Sequence, residues 1–288
     1  MRLDDLRESS NLEEARGGSR GRGIGIGGLG VGGTVVVLLI SMALGVDPRT
    51  LLDFGGASDP GTGPADAPSD PQAQASDPQR RFVAKILAST EDSWGTYFQS
   101  AGKPYEAPHL VLYRGTVQSG CGFAEAAVGP FYCPADARVF LDLSFFQELS
   151  QRFHAPGDFA AAYVIAHEVG HHVQNLLGIT RRVEAEGRGA HQGADSPSVR
   201  LELQADCFAG VWAHDADRRS RLLEAGDLEE GIAAASAVGD DQLQRQTQGR
   251  VVPDSFTHGT SAQRVAWFRR GFESGDPNRC DTFRAERL

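Results

Sequence analysis

Apolar and polar positions along this chain fall into three regimes, each predicting a different kind of segment. Residues 1 to 23 are polar, with Arg and acidic residues in balance, and read as a disordered tail. Residues 24 to 46, IGIGGLGVGGTVVVLLISMALGV, hold no charge over 23 positions, long enough at helical rise to cross a bilayer core. Residues 47 to 80 read as a linker, because from Gly55 to Gln79 the chain is Pro, Gly, Ala, Ser and Asp with almost nothing large to bury.

A folded domain is expected over 81 to 288, about 200 residues and enough for a real core. Phe82, Val83, Ile86, Leu87, Trp94, Tyr97 and Phe98 recur at helical spacing. HLVLYRG (109 to 115) and RVFLDLSFF (138 to 146) alternate as strands do, with Val139, Leu141 and Leu143 on one face and Phe140 and Asp142 on the other. Helices then dominate. Asp158 can cap one from Phe159 to Leu177, stopped by Gly178, and Ser196 with Pro197 starts another. DLEEGIAAASAVGDDQLQRQ predicts a third, and Thr260 with Gln263 forms a capping box ahead of RVAWFRRGF. The class is α+β, mostly helical with a small sheet, preceded by one transmembrane helix.

Charge and cysteine usage change the picture in two ways. A net charge of -10 with no clustered Lys or Arg excludes a nucleic-acid partner. Arg16, Arg20 and Arg22 precede the apolar run, while Asp47, Arg49 and Asp53 follow it. The positive-inside bias then puts the N-terminus in the cytoplasm and the domain outside, on a single-pass membrane anchor. A cleaved signal peptide competes, since Ala43 to Gly45 has small-x-small spacing, but the long n-region and the long apolar run favour the anchor. Four cysteines in an exported domain predict disulfides, and proximity pairs Cys121 with Cys133, leaving Cys207 with Cys280. Zinc ligation by cysteine would want a C-x-x-C spacing that is absent.

AHEVGHH, residues 166 to 172, carries the chemistry. Four apart on a helix, His167 and His171 point the same way and can share one metal, with Glu168 beside them as general base. The surrounding AAAYVIAHEVGHHVQNLL is apolar all round and predicts a buried helix, in which unpartnered imidazoles would be costly. His172 reads as a packing or supporting residue, and Gly170 as a point of close approach for another element. Catalytic zinc wants a third protein ligand. No third His follows at the extended spacing, since 174 is Gln and 177 is Leu. Glu202 in SVRLELQADCFAG is the best source, with Asp206 one turn on to hold a ligating ring; Glu186, His191 and Asp195 are rivals.

The chain resembles the zincin metallopeptidases, and within them the gluzincin pattern of H-E-x-x-H followed by E-x-x-x-D. More closely, GDFAAAYVIAHEVGHHVQNLLG, GPFYCPADARVFLDLSFF, LELQADCFAG and THGTSAQRVAWF are similar to a bacterial family of predicted neutral zinc metallopeptidases. The likeness covers most of 81 to 288 and almost nothing of the tail and linker. It implies one zinc ion held by His167, His171 and Glu202, Glu168 as catalytic base and Asp206 as support. It further implies that the strand around Phe140 to Leu143 is the sheet edge along which a peptide lies. His258 or Arg264 would steady the oxyanion, although the residue after His258 is Gly259 where the pattern has Pro. The expected activity is a membrane-anchored zinc endopeptidase acting on extracytoplasmic protein or peptide. An inert zinc-stabilised scaffold and a peptidoglycan peptide hydrolase are its rivals. With no long prodomain between anchor and domain, zymogen cleavage is not expected.

Overall fold

The computed structural model of this protein describes residues 1–15, 77–185 and 192–288. Over residues 1–15 its first element corrects the expected disordered tail, whose residues 16–23 lie outside the described residues, as does the linker up to residue 76. Leu12–Glu14 form strand β1, in parallel register with a strand of the domain, Leu12 opposite Leu110. Several polar residues before β1 bond to the domain, although most of them also meet solvent. The buried Glu91 carboxylate accepts from Ser9 Oγ at 2.5 Å, Asn11 Nδ2 at 2.8 Å and Arg7 Nη2 at 2.8 Å. The apolar run 24–46 lies outside the described residues. Among the described residues, no helix is long and apolar enough to cross a membrane.

Asp77 accepts the Gln79 N–H and, with Pro78 at the first turn, starts helix α1 (Pro78–Ser100), a little before the expected boundary. Strands β2 (His109–Tyr113), β3 (Thr116–Ser119), β4 (Gly122–Glu125), β5 (Phe131–Cys133) and β6 (Arg138–Asp142) follow. The FF of the second strand-like run turns into a short helix instead, α2 (Phe145–Gln151). Next come α3 (Asp158–Leu176), α4 (Ile179–Ala185) and α5 (Pro197–Ser220), the last capped by Ser196 Oγ on the Val199 N–H. The expected third helix is broken at Val238 and Gly239 into α6 (Asp227–Ala237) and α7 (Asp240–Gln248). At Gly239 an added Cβ would stand 2.3 Å from the Ser261 nitrogen, so the chain passes there with no side chain. Helix α8 (Ser261–Ser274) opens with the Thr260–Gln263 capping box. Asp158 does not cap α3. Its carboxylate meets the Met1 amino group at 3.0 Å, and Glu230 accepts the Phe159 N–H in its place.

The sheet runs β1-β2-β6-β5, with β1, β2 and β6 parallel and β5 antiparallel on the edge. This overturns the placing of Phe140 to Leu143 at the edge: β6 has a hydrogen-bonded partner on each side. Alternation sorts the strands between two cores. Leu110, Leu112, Val139 and Leu141 face the helices, while Val111, Tyr113 and Phe140 face the β3–β4 hairpin. Both expected disulfides are present, Cys121–Cys133 at the hairpin and Cys207–Cys280 joining α5 to the C-terminal segment.

Candidate metal centre

Two helices make the site, and glycine lets them touch. A Cβ on Gly170 of α3 would stand 3.0 Å from the Ala205 carbonyl oxygen and 3.1 Å from its Cα on α5. With that approach, the His167 and His171 rings meet the Glu202 and Asp206 carboxylates. His167 Nε2 lies 3.2 Å from His171 Nε2 and 3.2 Å from Glu202 Oε2, and His171 Nε2 lies 3.5 Å from Glu202 Oε1. Three donors around one tetrahedral ion at bonds of ~2.0–2.1 Å would stand ~3.3 Å apart, so these side chains are already spaced for zinc.

The far side of each ring supports that reading. His167 Nδ1 faces Asp206 Oδ1 at 2.9 Å, and His171 Nδ1 faces Gln174 Oε1 at 2.9 Å. Both Nδ1 atoms face acceptors, so in neutral rings both carry the proton and both Nε2 atoms turn lone pairs toward a carboxylate. Such an arrangement calls for a cation. Burial pulls the His167 pKa down, but the Asp206 charge and hydrogen bonds to Asp206 and Glu202 outweigh it, and the value is pushed up to about 9. The metal-free cluster thus takes a proton where an ion would otherwise sit.

Glu168 is buried beside the rings and makes no hydrogen bond to a described residue. Burial raises its carboxyl pKa against the pull of His167 and His171, which suits a group that takes up a proton. Arg264, expected near the oxyanion, lies in the interior instead. Its Nε and Nη2 reach Asp206 Oδ2 and Oδ1, each at 2.9 Å, and its side chain is only 4% exposed. Nη2 also reaches the Tyr163 hydroxyl at 3.3 Å and stands 4.0 Å from Glu202 Oε2, and Nη1 donates to the Val238 carbonyl at 3.4 Å, so the guanidinium is taken up by buried partners. The Tyr163 hydroxyl donates to the same Asp206 Oδ1 at 2.5 Å, so Asp206 holds His167 from a fixed position.

His258 lies at the rim, its side chain half-exposed, and the charge of Glu202 acts on it. Its Nδ1 faces Asp240 Oδ1 at 3.2 Å, leaving Nε2 without a hydrogen bond among the described residues. Asp240 Oδ2 accepts the N–H groups of Thr257, His258 and Gly259 at 2.8, 2.6 and 2.9 Å, so the loop is clamped. His172 is a strut. Its Nε2 donates to the Glu106 carbonyl at 2.6 Å, and its Nδ1 accepts from the hydroxyl of Tyr132 in edge strand β5 at 3.1 Å. Among the rivals for third ligand, Asp195 is exposed and outside the cluster, whereas Glu186 and His191 lie outside the described residues.

Gln174, Tyr163 and Asp240 join the centre beyond the residues expected from the sequence. A glutamine one turn past a ligating histidine on an apolar helix was the available signal for the first. The other two hold their partners across long stretches of chain and leave no local pattern.

A family described as putative neutral zinc metallopeptidase matches residues 1–283. The chain belongs to this family. The match reaches residue 1, so the first residues, which carried almost none of the likeness by motif, are part of the family's unit. The uncharacterized protein YpfJ of Escherichia coli (strain K12) is 49% identical over 290 residues, covering 98% of this chain and 99% of that one. The uncharacterized protein Rv2575 of Mycobacterium tuberculosis (strain ATCC 25618 / H37Rv) is 46% identical over 218 residues, 72% of this chain and 73% of the relative. No solved structure matches.

Proposed function

We propose that this protein is a zinc-dependent endopeptidase working at the membrane surface on extracytoplasmic protein or peptide. The observation that carries the reading is the set of three donors on His167, His171 and Glu202, spaced 3.2 to 3.5 Å apart beside a buried Glu168 that is unpaired among the described residues. Bound zinc would supply a polarised carbonyl and an acidified water. Glu168 would take the proton from that water and return it to the leaving amine. His258, oriented by Asp240, would offer Nε2 to the oxygen on which charge develops. Edge strand β5, tied to α3 through Tyr132 and His172, has one side unpaired among the described residues and would align an extended peptide along Phe131–Cys133.

Two disulfides support an oxidising compartment. Residues 1–15 and the domain would stand together on that side, with the apolar run 24–46 meeting the membrane between them.

The test is zinc content and casein hydrolysis of the full chain, produced in an oxidising compartment, against Glu168→Gln. Both should hold one zinc, and the variant should lose roughly 10²–10⁴-fold in rate. Zinc without hydrolysis in the wild type would favour an inert scaffold, and cleavage of purified sacculi but not casein a cell-wall substrate. A chain that binds no zinc would end the reading.

A further inference from the structure

His167 and His171 are supported by different chemistry. Asp206 is a carboxylate and accepts a ring N–H whichever oxygen faces it. Gln174 is an amide with an accepting end and a donating end, so something must decide which end meets His171.

Two backbone carbonyls decide it, that of Leu201 on α5 directly and that of Cys280 in the C-terminal segment through Gln204. A backbone carbonyl can only accept, and that of Cys280 receives Gln204 Nε2 at 2.9 Å. Gln204 Oε1 is thereby turned to Gln174, whose Nε2 donates to it at 3.1 Å and to the Leu201 carbonyl at 2.7 Å. Gln174 Oε1 is what remains for His171 Nδ1. Flipping Gln204 would set N–H against N–H at Gln174 and oxygen against oxygen at Cys280, and flipping Gln174 would set its oxygen against those of Gln204 and Leu201. Both glutamines are buried, and no solvent can repair such a clash. Cys280 is in turn fixed to α5 by its bond to Cys207, and Thr282 Oγ1 donates to the Arg200 carbonyl at 2.7 Å.

We infer that Gln174 and Gln204 are positioning residues for the metal centre, carrying the orientation of the disulfide-held Cys280 carbonyl to His171 and fixing its proton on Nδ1. Nε2 of His171 is then the free ligand atom, and the Cys207–Cys280 bond bears on metal retention from outside the site. The inference rests on the metal reading above.

The experiment is zinc affinity of the full chain by competition with a chromophoric chelator at one pH, with melting of the metal-free protein as a control for folding. Gln174→Leu should bind about 10–100-fold more weakly. Gln174→Glu restores an acceptor for His171 but faces two carbonyl-type oxygens, so zinc affinity should return toward wild type while metal-free melting falls. A residue needed only for packing would not split the two readouts. Gln204→Leu and the Cys207→Ala/Cys280→Ala pair never touch His171, and each should weaken zinc by roughly 3–10-fold.

Unchanged affinity in Gln174→Leu, or loss confined to Gln174 with both remote variants as tight as wild type, would overturn the relay. Should Gln174→Leu fail to fold, Gln174→Glu and Gln204→Leu decide the matter alone. A wild-type chain without zinc would instead overturn the metal reading beneath it.

Discussion

Arg264 and His258 come from the same short stretch of chain, and either could have faced a developing negative charge. The structure divides them between an interior and a rim. Arg264 enters the interior because α8 closes on α5: at Gly271 an added Cβ would stand 1.9 Å from the Cys207 carbonyl oxygen. Its side chain then ends on Asp206, where two charges and two hydrogen bonds offset the cost of burial. His258 stays on the loop before the capping box, held by one ring nitrogen. A cation fully paired in the interior can orient its neighbours but has nothing left for a substrate. A ring held at one nitrogen at the rim has the other to offer.

Breaking the interior should have the largest effect. Asp206→Ala strands the Arg264 guanidinium and the His167 N–H, and is expected to cost about 3–5 kcal/mol in chemical denaturation of the metal-free protein. Zinc affinity should fall as well, and the added Arg264→Leu should recover much of the stability without the affinity. Breaking the rim should leave zinc content alone and cost far less stability, only what His258 lends to Asp240. His258→Ala is expected to lower kcat by roughly 10²–10³, measured on any peptide the wild type cleaves. Equal zinc loss in both variants would erase the distinction.

Asp240→Asn should give the smallest change and a sign that can be checked. Burial would raise the Asp240 pKa, but the His258 hydrogen bond and charge, with the backbone N–H groups, bring it below the ordinary carboxylate value. A carboxylate lowered on folding adds stability that is present above its unfolded pKa and disappears as pH falls through the lower folded one. Melting followed from pH 7 into the acid range should therefore show wild type and variant converging as Asp240 is protonated. A constant gap would mean that the clamp does not depend on charge.

Most of the centre was legible in the sequence, for a simple reason. His167 and His171, and again Glu202 and Asp206, are spaced by one helical turn, with Glu168 next to the first, and apolar neighbours say that the faces are buried. Spacing tells which residues share a face, not what lies opposite. The inward turn of Arg264 depends on how close α8 comes to α5, and the interior place of β6 depends on the short β5 taking the edge. Residues 1–15 were read as solvated because they are polar. Their partners, Glu91 above all, stand far along the chain, and composition cannot report a non-local ion pair.

Strand β1 carries none of the chemistry, yet it covers one flank of β2, whose Leu110, Val111, Leu112 and Tyr113 are all buried. A shortened chain beginning at Asp77 would keep every group of the metal centre and bare a row of unpaired N–H and C=O groups on an apolar strand. Such a flank is a template for pairing with another molecule. Protection against self-association is thus supplied from in front of the apolar run, and a trimmed protein would be expected to fail by aggregating before it failed as an enzyme.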